Sequence, residues 1–277
     1  SGPDGSSPGS GSGNDTGVAD TEPDWIPPDY SGTACPTLEE GANDGFVSGD
    51  DEREFLLYLP DDPAGAPVVF VWHEMGGSAS GLARYAGFDD LATDEGVVLV
   101  APESDGSTQY EWHYSSPAEG NTDLVLFDDV VSCLYEQYAV DLGAIYATGM
   151  SAGGMWTSYM TLYRADILAA TAPFSGGWMQ SWYESPEEQI PVMLTWGGSS
   201  DTFSTFSFEE ASLDLSESLG DDGHFVVECD HGGGHTMPTG AAALAWQFFL
   251  DHPKGVDPEP YADGLPSEFP DYCSIPQ

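Results

Sequence analysis

The chain has 277 residues, enough for one large α/β domain or two small ones with a sizeable core. Hydrophobic residues make up 40% and aromatics 12%, which excludes a disordered chain, and no apolar run reaches the length needed to span a bilayer. Asp and Glu number 48 against 4 Lys and Arg, a formal charge of −44 that repels phosphate backbones and anionic lipid and so excludes nucleic acid and acidic membranes as partners.

Taken in order, Ser1 to about Asp20 is Gly, Ser, Pro and Asp, and reads as a flexible linker that tethers the domain to something upstream. Its polar start carries no hydrophobic leader, as in a mature or trimmed form. Thr21 to Gly32 is Pro-rich with Trp25 and Tyr30; it either lies extended on the domain surface or continues the linker, and the boundary is set at residues 1–32. The folded unit, residues 33–277, opens near Cys35. Strands are predicted over Glu54–Pro60, Pro67–Trp72 and Gly96–Pro102, the last two as continuous apolar runs suited to a sheet covered on both faces. A helix is predicted between Ser80 and Glu95. A long polar loop then carries Tyr110, Trp112, His113 and Tyr114, and Thr122–Tyr138 has helical periodicity. Further strands are predicted before Ser151 and over Ile167–Phe174, Ile190–Trp196 and His224–Cys229. Helices are predicted after Ser151 and over Phe208–Leu219 and Gly240–Leu250. Strands alternating with helices predict a mainly parallel sheet with helices on both faces. No internal repeat or second domain is visible. The Pro- and Asp-rich tail, Pro253–Gln277, is expected to wrap the surface until Cys273 pins it.

Four cysteines, none in a CxxC pair, argue against zinc and for two disulfides formed in an oxidising compartment. The alternative is four buried thiols. Of the three possible connectivities, Cys35–Cys273 with Cys133–Cys229 is favoured, because the first would tie the chain ends together. The acidity fits a protein from a saline setting or an acidic secreted protein with no salt requirement.

The chemistry centres on Gly149-Met150-Ser151-Ala152-Gly153. It follows a short apolar strand and precedes a helix, the context of a nucleophile elbow. A serine hydroxyl needs a base, and that base an orienting carboxylate. Asp201 lies in a Gly/Ser loop just past the strand ending at Trp196, where ligands bind in open α/β sheets. His235 lies in a glycine-rich loop after the last predicted strand; His231 is its competitor. The order Ser, Asp, His is that of α/β-hydrolases. Two backbone N–H donors for an oxyanion are expected at Ala152 and at Met75 in His73-Glu74-Met75-Gly76-Gly77-Ser78.

These pieces, with Trp72-His73…Gly76-Gly77-Ser78-Ala79, Asp128-Asp129-Val130 and Gly233-Gly234-His235-Thr236-Met237-Pro238, resemble secreted serine esterases grouped with polyhydroxybutyrate depolymerases, feruloyl esterases and acetyl xylan esterases (carbohydrate esterase family one and relatives). The resemblance runs from Pro67 to about His252. It implies an α/β-hydrolase fold, triad roles for Ser151, Asp201 and His235, and ester hydrolysis through an acyl-enzyme without metal or cofactor. Two positions depart from the pattern: Glu74 stands where a Gly is usual, and Trp196 where a His often precedes Gly197. Trp112 and Tyr114, and Trp178, Trp182 and Tyr183, are expected at a substrate cleft suited to an aryl ester, a sugar ester or a polyester chain. The expected protein is an extracellular monomer. A peptidase or lipase of the same fold, or a non-catalytic binding protein, is the alternative.

Overall fold

The computed structural model describes residues 2, 25–178 and 183–276. Its strands are β1 (Gly41–Ser48), β2 (Asp51–Tyr58), β3 (Val68–Trp72), β4 (Val98–Pro102), β5 (Ile145–Met150), β6 (Ala170–Phe174), β7 (Val192–Trp196), β8 (Thr202–Phe203), β9 (Phe206–Ser207), β10 (Val226–Asp230) and β11 (Cys273–Ser274). Its α-helices are α1 (Ala79–Ala86), α2 (Asp89–Asp94), α3 (Thr122–Tyr138), α4 (Ala152–Tyr163), α5 (Phe208–Asp221) and α6 (Ala241–Asp251).

Nine strands form one sheet in the order β1-β2-β4-β3-β5-β6-β7-β10-β11. The run from β4 to β10 is parallel; β1, β2 and β11 attach antiparallel at the edges. Successive side chains of a strand point to opposite faces, so β3 feeds two cores. Val68, Phe70 and Trp72 join residues of α3, α4 and α5 in one. Val69 and Val71 join residues of α1, α2 and α6 in the other. Both faces are covered, which is why β3, β4, β5, β6 and β7 are buried along their whole length and apolar except for Thr148, Thr171 and Thr195. This is the expected α/β-hydrolase fold.

Departures from expectation have local causes. The helix expected up to Glu95 is two helices, because Gly87 takes a left-handed conformation (φ 80°) and caps α1. Strand β1 was not foreseen: Asn43-Asp44-Gly45 reads as a turn, yet it forms a bulge inside the β1–β2 hairpin. Strand β11 is too short to announce itself.

The disulfides are Cys35–Cys133 and Cys229–Cys273, correcting the favoured connectivity. The chain ends are not tied to each other; each is stapled to the element it crosses. The segment after Cys35 lies along α3, where Gln137 exchanges hydrogen bonds with Leu38 N–H and the Pro36 carbonyl. Cys273 sits opposite Cys229 in the β10–β11 register. Most of the expected linker lies outside the described residues. Residues 25–32 lie on the domain: Ser31 donates to Asp129 through its backbone N and its Oγ, and Lys254 sits over the Trp25 ring.

Candidate active site

Strand β5 ends at Met150 and α4 begins at Ala152, so the whole reversal falls on Ser151 (φ 55°, ψ −114°). A non-glycine residue held there is strained. Two bonds fix it: Ser151 N–H donates to the Phe174 carbonyl on β6, and Met155 N–H donates to the Ser151 carbonyl. The glycines of the motif are steric necessities. A Cβ on Gly153 would lie 1.9 Å from the Trp72 carbonyl oxygen, and one on Gly149 2.6 Å from it. The elbow therefore presses against the end of β3, and the Ser151 hydroxyl stands at the carboxyl edge of the sheet.

Asp201 follows β7 through the short 3-10 turn Gly198–Ser200, and His235 follows β10. Close backbone contact joins the two loops. Gly234 N–H donates to the Gly197 carbonyl at 2.8 Å, and a Cβ on Gly197 would lie 1.9 Å from the Gly234 oxygen. Asp201 is fully buried. Its Oδ1 lies 2.7 Å from His235 Nδ1, and His235 Nε2 lies 2.9 Å from Ser151 Oγ. The second carboxylate oxygen, Oδ2, accepts from Ser175 Oγ and from Gly197 N–H, both at 2.8 Å. Donors thus reach both oxygens of this buried, acceptor-only carboxylate. His235 is held flat against Phe208, ring centroids 4.6 Å apart and planes 18° from parallel. Phe208 N–H in turn donates to the Asp201 carbonyl. It is His235, not the competitor His231, that hydrogen-bonds Ser151 Oγ; the His231 Nδ1 accepts from Gly233 N–H, and burial lowers its pKa. Ser175 and Phe208 were not foreseen. Ser175 directly follows β6, and only the pairing of β6 with β7 brings it to Asp201.

Two clefts meet at Ser151. One, of about 410 Å³, is bordered by Ala152, Met155, Tyr114, Phe206 and Phe208. The other, of about 340 Å³, is bordered by Glu74, Tyr85, His235, Thr236 and Met237. Met75 and Phe203 border both. The Glu74 carbonyl accepts from Gly77 N–H at 2.9 Å and lies 2.8 Å from His73 Nδ1. A trans peptide points its C=O and N–H in opposite directions, so the Met75 N–H is turned away from those two partners. Ala152 N–H opens α4, where helix N–H groups lack intrahelical acceptors.

The expected cleft aromatics need correction. Trp112 is fully buried: its ring packs edge-on against Trp72 at 4.9 Å, and its Nε1–H donates to the His73 carbonyl. Trp178 is buried and packs on Tyr183, away from both clefts. Trp182 lies outside the described residues. Tyr114 does border the first cleft; Tyr110, Phe203, Phe206 and Phe208 supply the other aromatic surface.

The model of the prolyl oligopeptidase family matches residues 89–196. Feruloyl esterase B of Talaromyces funiculosus is 27% identical over 127 residues, 44% of this chain and 36% of that protein. Oxidized polyvinyl alcohol hydrolase of a Pseudomonas species is 24% identical over 196 residues, 57% and 50% of the two chains. Probable acetylxylan esterase A of Aspergillus flavus is 28% identical over 133 residues, 44% and 41%. The chain thus spans half or less of the length of each of these curated relatives. Among solved structures, native sOPH superposes with a TM-score of 0.72 at 20% identity, covering 88% of this chain and 96% of that one. The likeness to solved structures is one of fold. With the feruloyl and acetylxylan esterases as sequence relatives, the chain resembles α/β-hydrolase esterases of this type.

Proposed function

We propose that the chain is a serine carboxylic-ester hydrolase that works through an acyl-enzyme. The observation that carries this reading is the run of hydrogen bonds Asp201–His235–Ser151 ending at a strained serine. Ser151 Oγ attacks the ester carbonyl, and His235 Nε2 takes its proton. Asp201 keeps the other imidazole proton on Nδ1 and stabilises the imidazolium. Met75 N–H and Ala152 N–H hold the oxyanion. The leaving oxygen must sit within reach of His235 to be protonated, so the alcohol occupies the cleft that His235 borders. The acyl group then falls in the other cleft, among Tyr114, Met155, Phe206 and Phe208. That lining suits an apolar acyl group, as in an aryl ester or a polyester chain, and the −44 charge disfavours anionic substrates. The two disulfides suit work outside the cell, and no helix among the described residues is long and apolar enough to cross a membrane.

A peptidase is the second reading, favoured by the prolyl oligopeptidase match. The test is a panel of p-nitrophenyl acetate and butyrate, a feruloyl ester, acetylated xylan, a short polyester and a chromogenic peptide, each with wild type and Ser151→Ala. Ester turnover lost by about 10³-fold or more in the variant is expected. Equal rates in both proteins, or turnover of the peptide alone, would overturn the ester reading.

A further inference from the structure

We infer that Glu111 is a positioning residue: its carboxylate clamps the turn that carries the Met75 N–H, and so sets the oxyanion site. This rests on the serine-esterase reading above. The turn, residues 73–77, is held mainly from one side by the loop after β4. Ser104 N–H donates to His73 Nε2 at 3.3 Å, which leaves the ring proton on Nδ1, facing the Glu74 carbonyl. Trp112 Nε1–H donates to the His73 carbonyl at 2.9 Å. Between them, Glu111 Oε1 accepts from Gly76 N–H at 2.9 Å, one residue from the proposed donor. Glu103 Oε1 accepts from Ala79 N–H at 3.0 Å and closes the far end.

Glu111 is also strained, with φ at 69°, a left-handed conformation that glycine adopts at no steric cost. Ser104 Oγ, donating to the Glu111 carbonyl, holds the backbone there. The strained residue is flanked by Tyr110, which borders the acyl cleft, and Trp112, sealed in the core. The conformation thus turns one side chain to substrate, the next to the oxyanion turn and the third inward. Glu74 replaces the glycine usual in this turn, and the clamp explains how the backbone keeps its course past a bulky side chain. A carboxylate accepting from a backbone N–H makes a stronger bond than a neutral acceptor and holds the turn more tightly.

Three variants test this on p-nitrophenyl butyrate. Glu111→Gln keeps an oxygen acceptor. Glu111→Ala removes it at the same strained φ. Glu111→Gly removes it and relieves the φ, so its fold is secured. The expected result is a kcat about 10- to 100-fold lower in Glu111→Ala and Glu111→Gly with KM within twofold, since misplaced catalytic groups cost rate on this scale. Glu111→Gln retains most of the rate, and Glu111→Gly melts within a few degrees of wild type. The Ki of a boronic acid, whose tetrahedral adduct places an oxygen in the hole, rises in step with the loss of kcat. Wild-type kcat and boronate affinity in Glu111→Gly overturn the clamp alone. So does a rate loss that Gln does not rescue, or one that merely tracks unfolding. A wild-type chain inactive on every ester overturns the esterase reading and the clamp with it.

Discussion

Ser175 bears on the proposed chemistry from outside it. Asp201 has one oxygen on His235 and the other shared between Ser175 Oγ and Gly197 N–H. A hydrogen bond to a charged group contributes about 1.5–3 kcal/mol, and Ser175→Ala removes one from a carboxylate with no access to water. The expected outcome is a kcat for p-nitrophenyl butyrate lower by on the order of 10-fold, with KM little changed, because the carboxylate turns away from the imidazole. An unchanged kcat would mean that Gly197 alone orients Asp201. Ser151, Asp201 and His235 could be found without a structure, because a motif and two strand ends single them out. Ser175 could not, because its role depends on β6 and β7 lying side by side. Trp112 could not be placed either. In an irregular loop no periodicity says which side chain turns inward, and an aromatic residue suits core and cleft equally.

Among the elements, the loop between β4 and α3 decides the shape of the site, and one buried carboxylate anchors it. Asp123, in the first turn of α3, pairs with Arg53 of β2 at 2.7 Å, both side chains sealed from solvent. Its other oxygen accepts from His113 N–H and lies 2.8 Å from His113 Nδ1. That hydrogen bond raises the His113 pKa above its ordinary value, against the opposing effect of burial. A histidine raised on folding contributes stability that is fully present below the unfolded value near 6.5 and fades as pH rises through the folded value. The melting temperature of His113→Gln should therefore fall furthest below wild type at about pH 5.5. The gap should close as pH rises above neutrality; a gap that widens with pH would contradict this. Strands β3 to β7 were legible because sheets covered on both faces demand continuous apolar runs. Strand β1 and the cysteine partners were not: a bulge hides among turn residues, and four cysteines leave the choice to sheet register and to the course of the chain along α3.

For the molecule as a whole, charge is the dominant feature. With 48 acidic residues against 4 basic ones, few carboxylates can find a cationic partner, and those buried are held by hydrogen-bond donors as well as by cations. Most of the remaining repulsion is screened by salt alone, over about 10 Å at 0.1 M and about 3 Å at 1 M. The melting temperature should rise with NaCl toward molar concentration and then flatten, equally in choline chloride of the same ionic strength. A flat or falling curve would favour the reading with no salt requirement. The proposed chemistry, however, turns on a single atom. Mixing the protein with a fluorophosphonate and measuring intact and peptide masses asks directly whether Ser151 Oγ is a nucleophile. A nucleophilic Ser151 predicts one adduct per chain, on the peptide containing Ser151, absent in Ser151→Ala and greatly slowed in His235→Ala. Labelling elsewhere, or none in the folded wild-type protein, would contradict it.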